Sequence, residues 1–340
     1  MFDKRLGGFL DSPHFVATGA RRQIPARVLL LACLLAGAGC APQRSSEQVP
    51  ARGSEQAPAH APSRVEESLT SGRISVVCSP ELVGILARER AAFDSLYPDA
   101  TIEFKEGSSS QAIRALFAAE CDLAVISREL DPIERGAAVR GGLELEGYRF
   151  ARDGVALVVH PANPVENASL DQVRGVFDGT LKNWNELGGL AGEIQPVIQA
   201  PESDIMAFFS AKVLSGGAIR AAVVYEPSDS GVVAYVKGHP TAVGIVSMAW
   251  AERGVKSLRL ASLRGLSYRR PDAETVHEGE YPLARDMNLY VRPKGPPLAN
   301  GFITFITSRE GQVIVRDQGL VPTAVPIRFV RRSPMVGSHR

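Results

Sequence analysis

From Arg73 onward the chain alternates between two hydrophobic periods. Residues 74–78 (ISVVC) form a short β-branched run, which predicts a buried strand. Between Glu81 and Tyr97, the apolar positions Leu82, Val83, Leu86, Phe93 and Leu96 fall mainly on one helical face, and Pro98-Asp99 ends that helix. The pattern then predicts a strand over 100–105, a helix over 111–119 and a strand over 121–127. Strands alternating with helices imply a parallel sheet with right-handed crossovers. A second series follows, with a strand over 154–160 and a helix opened by the capping-box spacing Ser169…Gln172. It continues with a strand over 194–199, a helix from Ser203-Asp204 to Leu214, helices over 218–225 and 230–237, and a strand over 242–248.

Upstream of residue 73 the pattern is different. Arg21, Arg22 and Arg27 precede an apolar stretch over 28–35 (VLLLACLL), then Ala36-Gly37-Ala38-Gly39 and Cys40. Basic residues, a short apolar core and small residues read as a secretory signal. With Cys next, residues 1–39 resemble a bacterial lipoprotein signal, in which Cys40 would carry the lipid. Cys33, with Leu30 three places before it, is a second candidate. Residues 40–71 are rich in Pro, Ala, Ser, Gln and Glu. They predict a disordered tether, because too little apolar surface is available to offset ordering entropy.

Charge narrows the function. The whole chain carries +1. The leader holds five bases (Lys4, Arg5, Arg21, Arg22, Arg27) and two acids (Asp3, Asp11), so removing it leaves about −2. No basic surface for nucleic acid follows from that balance. Cys78 and Cys121 fall at the exit of the first strand and the entrance of the third, about one strand length apart if those strands are parallel neighbours. A disulfide cannot span that distance, so two free buried thiols are expected.

The candidate chemistry lies at strand ends. Ser79 follows the first strand, Ser108, Ser109 and Ser110 the second, Ser127 and Arg128 the third, and Ser203 opens a helix in the second series. In open parallel sheets ligands sit beyond the carboxyl ends of the strands, where helix N-termini present N–H groups to anions. Each serine is equally suited to a helix cap, and the two roles are compatible. His160, His239 and His277 have no metal-ligand spacing, and no nucleophile–base pattern appears. Neither a metal, a cofactor nor an enzyme activity is expected.

Three long stretches resemble the PstS-like phosphate-binding proteins of ABC importers: 153–189 (DGVALVVHPANPVENASLDQVRGVFDGTLKNWNELGG), 241–251 (TAVGIVSMAWA) and 281–322. The resemblance implies an α/β, two-lobed type II periplasmic-binding fold, each lobe a mostly parallel sheet flanked by helices, with two crossover strands. Lobe 1 would combine 72–152 with 252–328, lobe 2 would be 153–251, and 329–340 would form a C-terminal tail. The implied ligand set is Ser79, Ser108, Ser109, Ser127, Arg128 and Ser203, with Glu81 and Asp204 as possible acceptors of a ligand proton. Three positions depart from the family pattern: Pro80-Glu81 stand where Thr and its neighbour are usual, Gln199 where an Arg is usual, and Asp204-Ile205 where Gly-Thr is usual. The resemblance therefore implies a lipid-anchored protein of the periplasm or cell surface, acting as a monomer. It would capture a small oxyanion, phosphate foremost, for an ABC permease or a membrane receptor. The alternative is a ligand-free scaffold or sensor lipoprotein of the same fold.

Overall fold

The computed structural model describes residues 67–323. The leader, Cys33, Cys40, the tether as far as residue 66 and the tail 329–340 lie outside the described residues. Within the segment expected as tether, Ser68 pairs with Ser71 in an isolated bridge.

In chain order the first elements are β1 (Gly72–Cys78), α1 (Val83–Leu96), β2 (Ala100–Glu106), α2 (Ser109–Phe117), β3 (Leu123–Ile126) and α3 (Pro132–Arg140). Then come β4 (Glu146–Val159), β5 (Asn167–Ser169), α4 (Leu170–Asp178), β6 (Gln195–Ile198), α5 (Asp204–Val213), β7 (Val224–Tyr225), α6 (Asp229–Gly238) and β8 (Ala242–Ser247). The chain closes with β9 (Lys256–Ser257), β10 (Arg259–Ala261), α7 (Ala273–Glu278), β11 (Ala284–Val291), α8 (Pro297–Ile306), α9 (Arg309–Asp317) and β12 (Val321–Pro322).

The strands run in the order β2-β1-β3-β11-β4-β8-β6-β7. At one end β1 pairs in parallel with both β2 and β3, and at the other β6 pairs in parallel with β7 and β8. β4 and β11 join the two parallel sets. β11 is antiparallel to β3 and to the first part of β4, while Val155–Val159 of β4 lie antiparallel to β8. The two strands that cross between the sets are therefore β4 and β11.

Apolar side chains gather accordingly. Ile74, Phe93, Phe150, Leu289 and Phe302 belong to one core, and Phe93 meets Phe302 edge-on at 5.4 Å. Val155, Phe177, Phe209 and Ile245 belong to another, with Phe177 and Phe209 at 4.8 Å. Each large side chain buried in this way contributes about 1.5–3 kcal/mol.

Two local expectations change. The helix expected over 218–225 does not form. Ser215 (φ 52°) and Gly216 (φ 78°) take left-handed backbone after α5, and the N–H groups of Arg220 and Ala221 donate to the Phe177 carbonyl at the end of α4. Only the two residues of β7 are regular there. The segment 258–283, expected with the first lobe, contributes Leu258, Leu260, Val276, Tyr281 and Leu283 to the core of Val155 and Phe177. β9 pairs with β4 and β10 with β5, and the Tyr281 hydroxyl donates to the Val155 carbonyl at 2.9 Å.

Cys78 and Cys121 are both buried and free. Burial, with Glu106 adding to it, pushes the Cys78 thiol up to about 12; burial pushes Cys121 up to about 11.

Candidate functional site: a serine cradle and an acid-walled cavity

The capping boxes decide which serines are available. Ser108 is the N-cap of α2: its Oγ accepts from the Gln111 N–H and the Gln111 side chain accepts from the Ser108 N–H. Its hydroxyl therefore serves the helix. That leaves Ser109, the first residue of α2, buried and pointing its N–H and Oγ the other way. Ser203, the N-cap of α5, makes no such bond, and its buried Oγ has no partner.

Four junctions meet. Ser79 Oγ lies 3.1 Å from Ser109 Oγ, and the Ser127 N–H donates to Ser109 Oγ at 3.3 Å. Across from them stands Asp204, the first residue of α5. Its carboxylate accepts from Ser79 Oγ (2.6 Å), Ser109 Oγ (2.8 Å) and the Ser109 N–H (3.0 Å). The strand-end donors and the α2 N-terminus thus form an anion cradle, and a carboxylate of the same chain sits in it. Ser127, 1% exposed, keeps a buried Oγ without a partner beside this cluster. A cavity of about 90 Å³ adjoins the cradle, walled by Pro80, Glu81, Ser108, Gln199, Ser203 and Asp204.

Two expected residues are engaged elsewhere. Arg128 holds both carboxylate oxygens of Glu134 at 2.7 Å and also donates to Ser110 Oγ at 2.9 Å. The Glu134 hydrogen bond raises its pKa, and its charge is already matched. Glu81, expected as a proton acceptor, instead pairs with both guanidinium ends of Arg285, at 2.9 and 3.0 Å.

Arg285 is 4% exposed and also donates twice to Asp153, at 2.9 and 3.1 Å. Burial alone pulls its pKa down, but Glu81 and Asp153 outweigh that and raise it. Asp153 further accepts from Ser247 Oγ at 2.7 Å. Arg285, Asp153 and Asp229 were not singled out by the sequence, although one signal was present. In β11 positions 285, 287, 289 and 291 share the buried phase, so Arg285 is a charge at an inward position. Gln199 donates to Asp229 at 2.8 Å, joining β6 to the start of α6. Burial, then Glu81 and Asp153, push the Asp229 carboxyl up to about 7. Among the described residues no group of three or more His, Cys, Asp or Glu is arranged to hold a metal ion.

Residues 62–310 match the family model of the PBP superfamily domain. The chain belongs to the PBP superfamily. This PBP-superfamily chain is 27% identical over 279 residues to the phosphate-binding protein PstS of Pseudomonas aeruginosa, covering 77% of its own length and 86% of that relative. It is 26% identical over 261 residues to phosphate-binding protein PstS of Bacillus subtilis, covering 75% and 82%. Its fold matches the crystal structure of an ABC-type phosphate transport receptor from Vibrio cholerae with a TM-score of 0.64 and 22% identity, over 74% of this chain and all of that one. The architecture of this PBP-superfamily chain is the type II periplasmic-binding fold. No helix among the described residues is long and apolar enough to cross a membrane.

Proposed function

We propose that this chain is an extracytoplasmic solute-binding lipoprotein that captures a small oxyanion, phosphate foremost, between two lobes and presents it to an ABC importer. The single observation that carries the reading is the cradle. Three donors already hold an oxyanionic group, the Asp204 carboxylate, and the unpartnered hydroxyls of Ser127 and Ser203 stand beside them. A tetrahedral oxyanion taking the place of the carboxylate gains those donors and both idle hydroxyls. The relatives named as phosphate-binding proteins support the same ligand class. Anchoring through Cys40, a monomeric state and a membrane permease as partner belong to this reading.

Asp204 also favours the second reading, a scaffold or sensor that closes on itself. Its carboxylate must leave before an oxyanion enters, and each charge-assisted bond it gives up is worth about 1.5–3 kcal/mol. Isothermal titration of the full chain with phosphate, sulfate and molybdate separates the two. Capture is supported by phosphate heat in the wild type that is lost in Ser109→Ala and Ser203→Ala. Silence in the wild type with binding in Asp204→Gly supports the self-closed sensor. Silence in both excludes the cradle as an oxyanion site.

A further inference from the structure

Beside the cradle lies a larger cavity of about 370 Å³. It shares the walls Pro80, Glu81 and Gln199 with the small one, and extends past Asp153, Asp229 and Arg285 to Trp250, Arg253 and Leu320. Its charges do not balance. Three carboxylates, Glu81, Asp153 and Asp229, face it. The buried cation Arg285 is fully used by Glu81 and Asp153. Asp229 receives only the neutral Gln199 amide and the Ser247 N–H, at 2.8 and 3.3 Å. Gln199 is neutral, and with Arg285 shared by two carboxylates and Arg253 stacked on Trp250, the wall carries three carboxylates against two guanidinium groups. The raised Asp229 carboxyl is the energetic sign of that shortfall: desolvation and two like charges act on it, and Arg285 offsets them only in part.

Another part of the wall already holds a cation. The Arg253 guanidinium lies over the Trp250 ring, 4.3 Å from its centroid. Both residues line the cavity, and Arg253 is an exposed side chain on its rim. The indole face thus already seats a cation, the guanidinium of an exposed side chain whose Nε also donates to the Ala249 carbonyl at 3.2 Å.

We propose that this cavity is a second binding site, for a small organic cation, with an ammonium or guanidinium group seated on Asp229 and the carbon chain laid against Trp250 and Leu320. The site adjoins the cradle's small cavity through Pro80, Glu81 and Gln199 but is lined by none of Ser79, Ser109, Ser127, Ser203 and Asp204. A metal ion fits the wall less well than an organic cation, because two of the three carboxylates are bound to Arg285.

The test is titration of the full chain with agmatine in phosphate-free buffer at about pH 8, where Asp229 is ionised, with uncharged 1,4-butanediol as control. Agmatine is expected to give a saturable heat and the diol none. Asp229→Asn, which keeps the side-chain shape, is expected to weaken agmatine about tenfold or more. Arg253→Ala, a change at an exposed position, is expected to tighten it by clearing the indole. Thermal melts of each variant show that it is folded. The proposal fails if the wild type gives no saturable agmatine heat, if the diol binds equally, or if Asp229→Asn and Arg253→Ala both bind like the wild type.

Discussion

Ser127 ends in a hydroxyl that is buried and bonded to nothing in the protein. Such a group costs about 1–3 kcal/mol of desolvation when nothing compensates it. Ser127→Ala is therefore expected to leave the stability of the ligand-free chain unchanged or raise it by up to about 1–2 kcal/mol. The same substitution is expected to lower oxyanion affinity about tenfold, a charge-assisted bond being worth about 1.5–3 kcal/mol. Urea unfolding and isothermal titration on one preparation read both effects, and a variant that loses stability contradicts the first. At this scale the sequence revealed the serines, because hydroxyl residues after β-branched runs have a local signature. It did not reveal that Glu81 would be claimed by Arg285, 204 residues away in the chain. Nor did it reveal that the Asp204 side chain would cross to Ser79 and Ser109. Both are partnerships between distant segments, and no window along the chain contains them.

Among elements, β8 and α6 approach most tightly where β8 carries glycine. A Cβ on Gly244 would stand 2.5 Å from Val232 Cγ1 and 3.0 Å from Val236 Cγ2, both on the buried face of α6. Gly244→Ala is expected to destabilise the chain by about 1–3 kcal/mol, the usual cost of overpacking. Adding Val232→Ala is expected to recover part of that loss, which a double-mutant cycle in urea measures. Element type was legible wherever period and caps agreed, as at α4, whose Ser169–Gln172 box forms as its spacing predicts. It was illegible at 218–225, where apolar residues suggested a helix but the backbone donors go to the end of α4. The free thiols follow from element order. β1 and β3 are parallel neighbours, as expected, and place Cys78 and Cys121 at opposite ends.

For the molecule as a whole, two buried acids set the pH response. Burial pushes Glu89 up to about 8, and neither of its carboxyl oxygens has a partner; Asp229 is pushed up to about 7. In the unfolded chain both titrate near 4. Between these values the folded state holds more protons than the unfolded one, so the two acids make stability fall as pH rises from about 5 to about 8, and above about 8.5 the raised thiols of Cys78 and Cys121 continue the fall. The urea midpoint is expected to follow that slope. Glu89→Gln is expected to flatten about half of it, Asp229 carrying the rest, and to add roughly 3–5 kcal/mol at the alkaline end, about 1.4 kcal/mol for each pH unit removed. A midpoint that rises across the window contradicts the assignment. Overall architecture was legible early, because alternating strands and helices leave few arrangements open. The packing of 258–283 with the Val155 core was not, since short strands such as β9 and β10 carry almost no periodic signal.

The presence of Asp204 in the cradle has an evolutionary corollary. An aspartate codon becomes a glycine codon by replacing its middle base. One nucleotide therefore separates the self-occupied cradle from a glycine at the first position of α5. A single base change at that codon would empty the cradle of its carboxylate without touching the serines that line it.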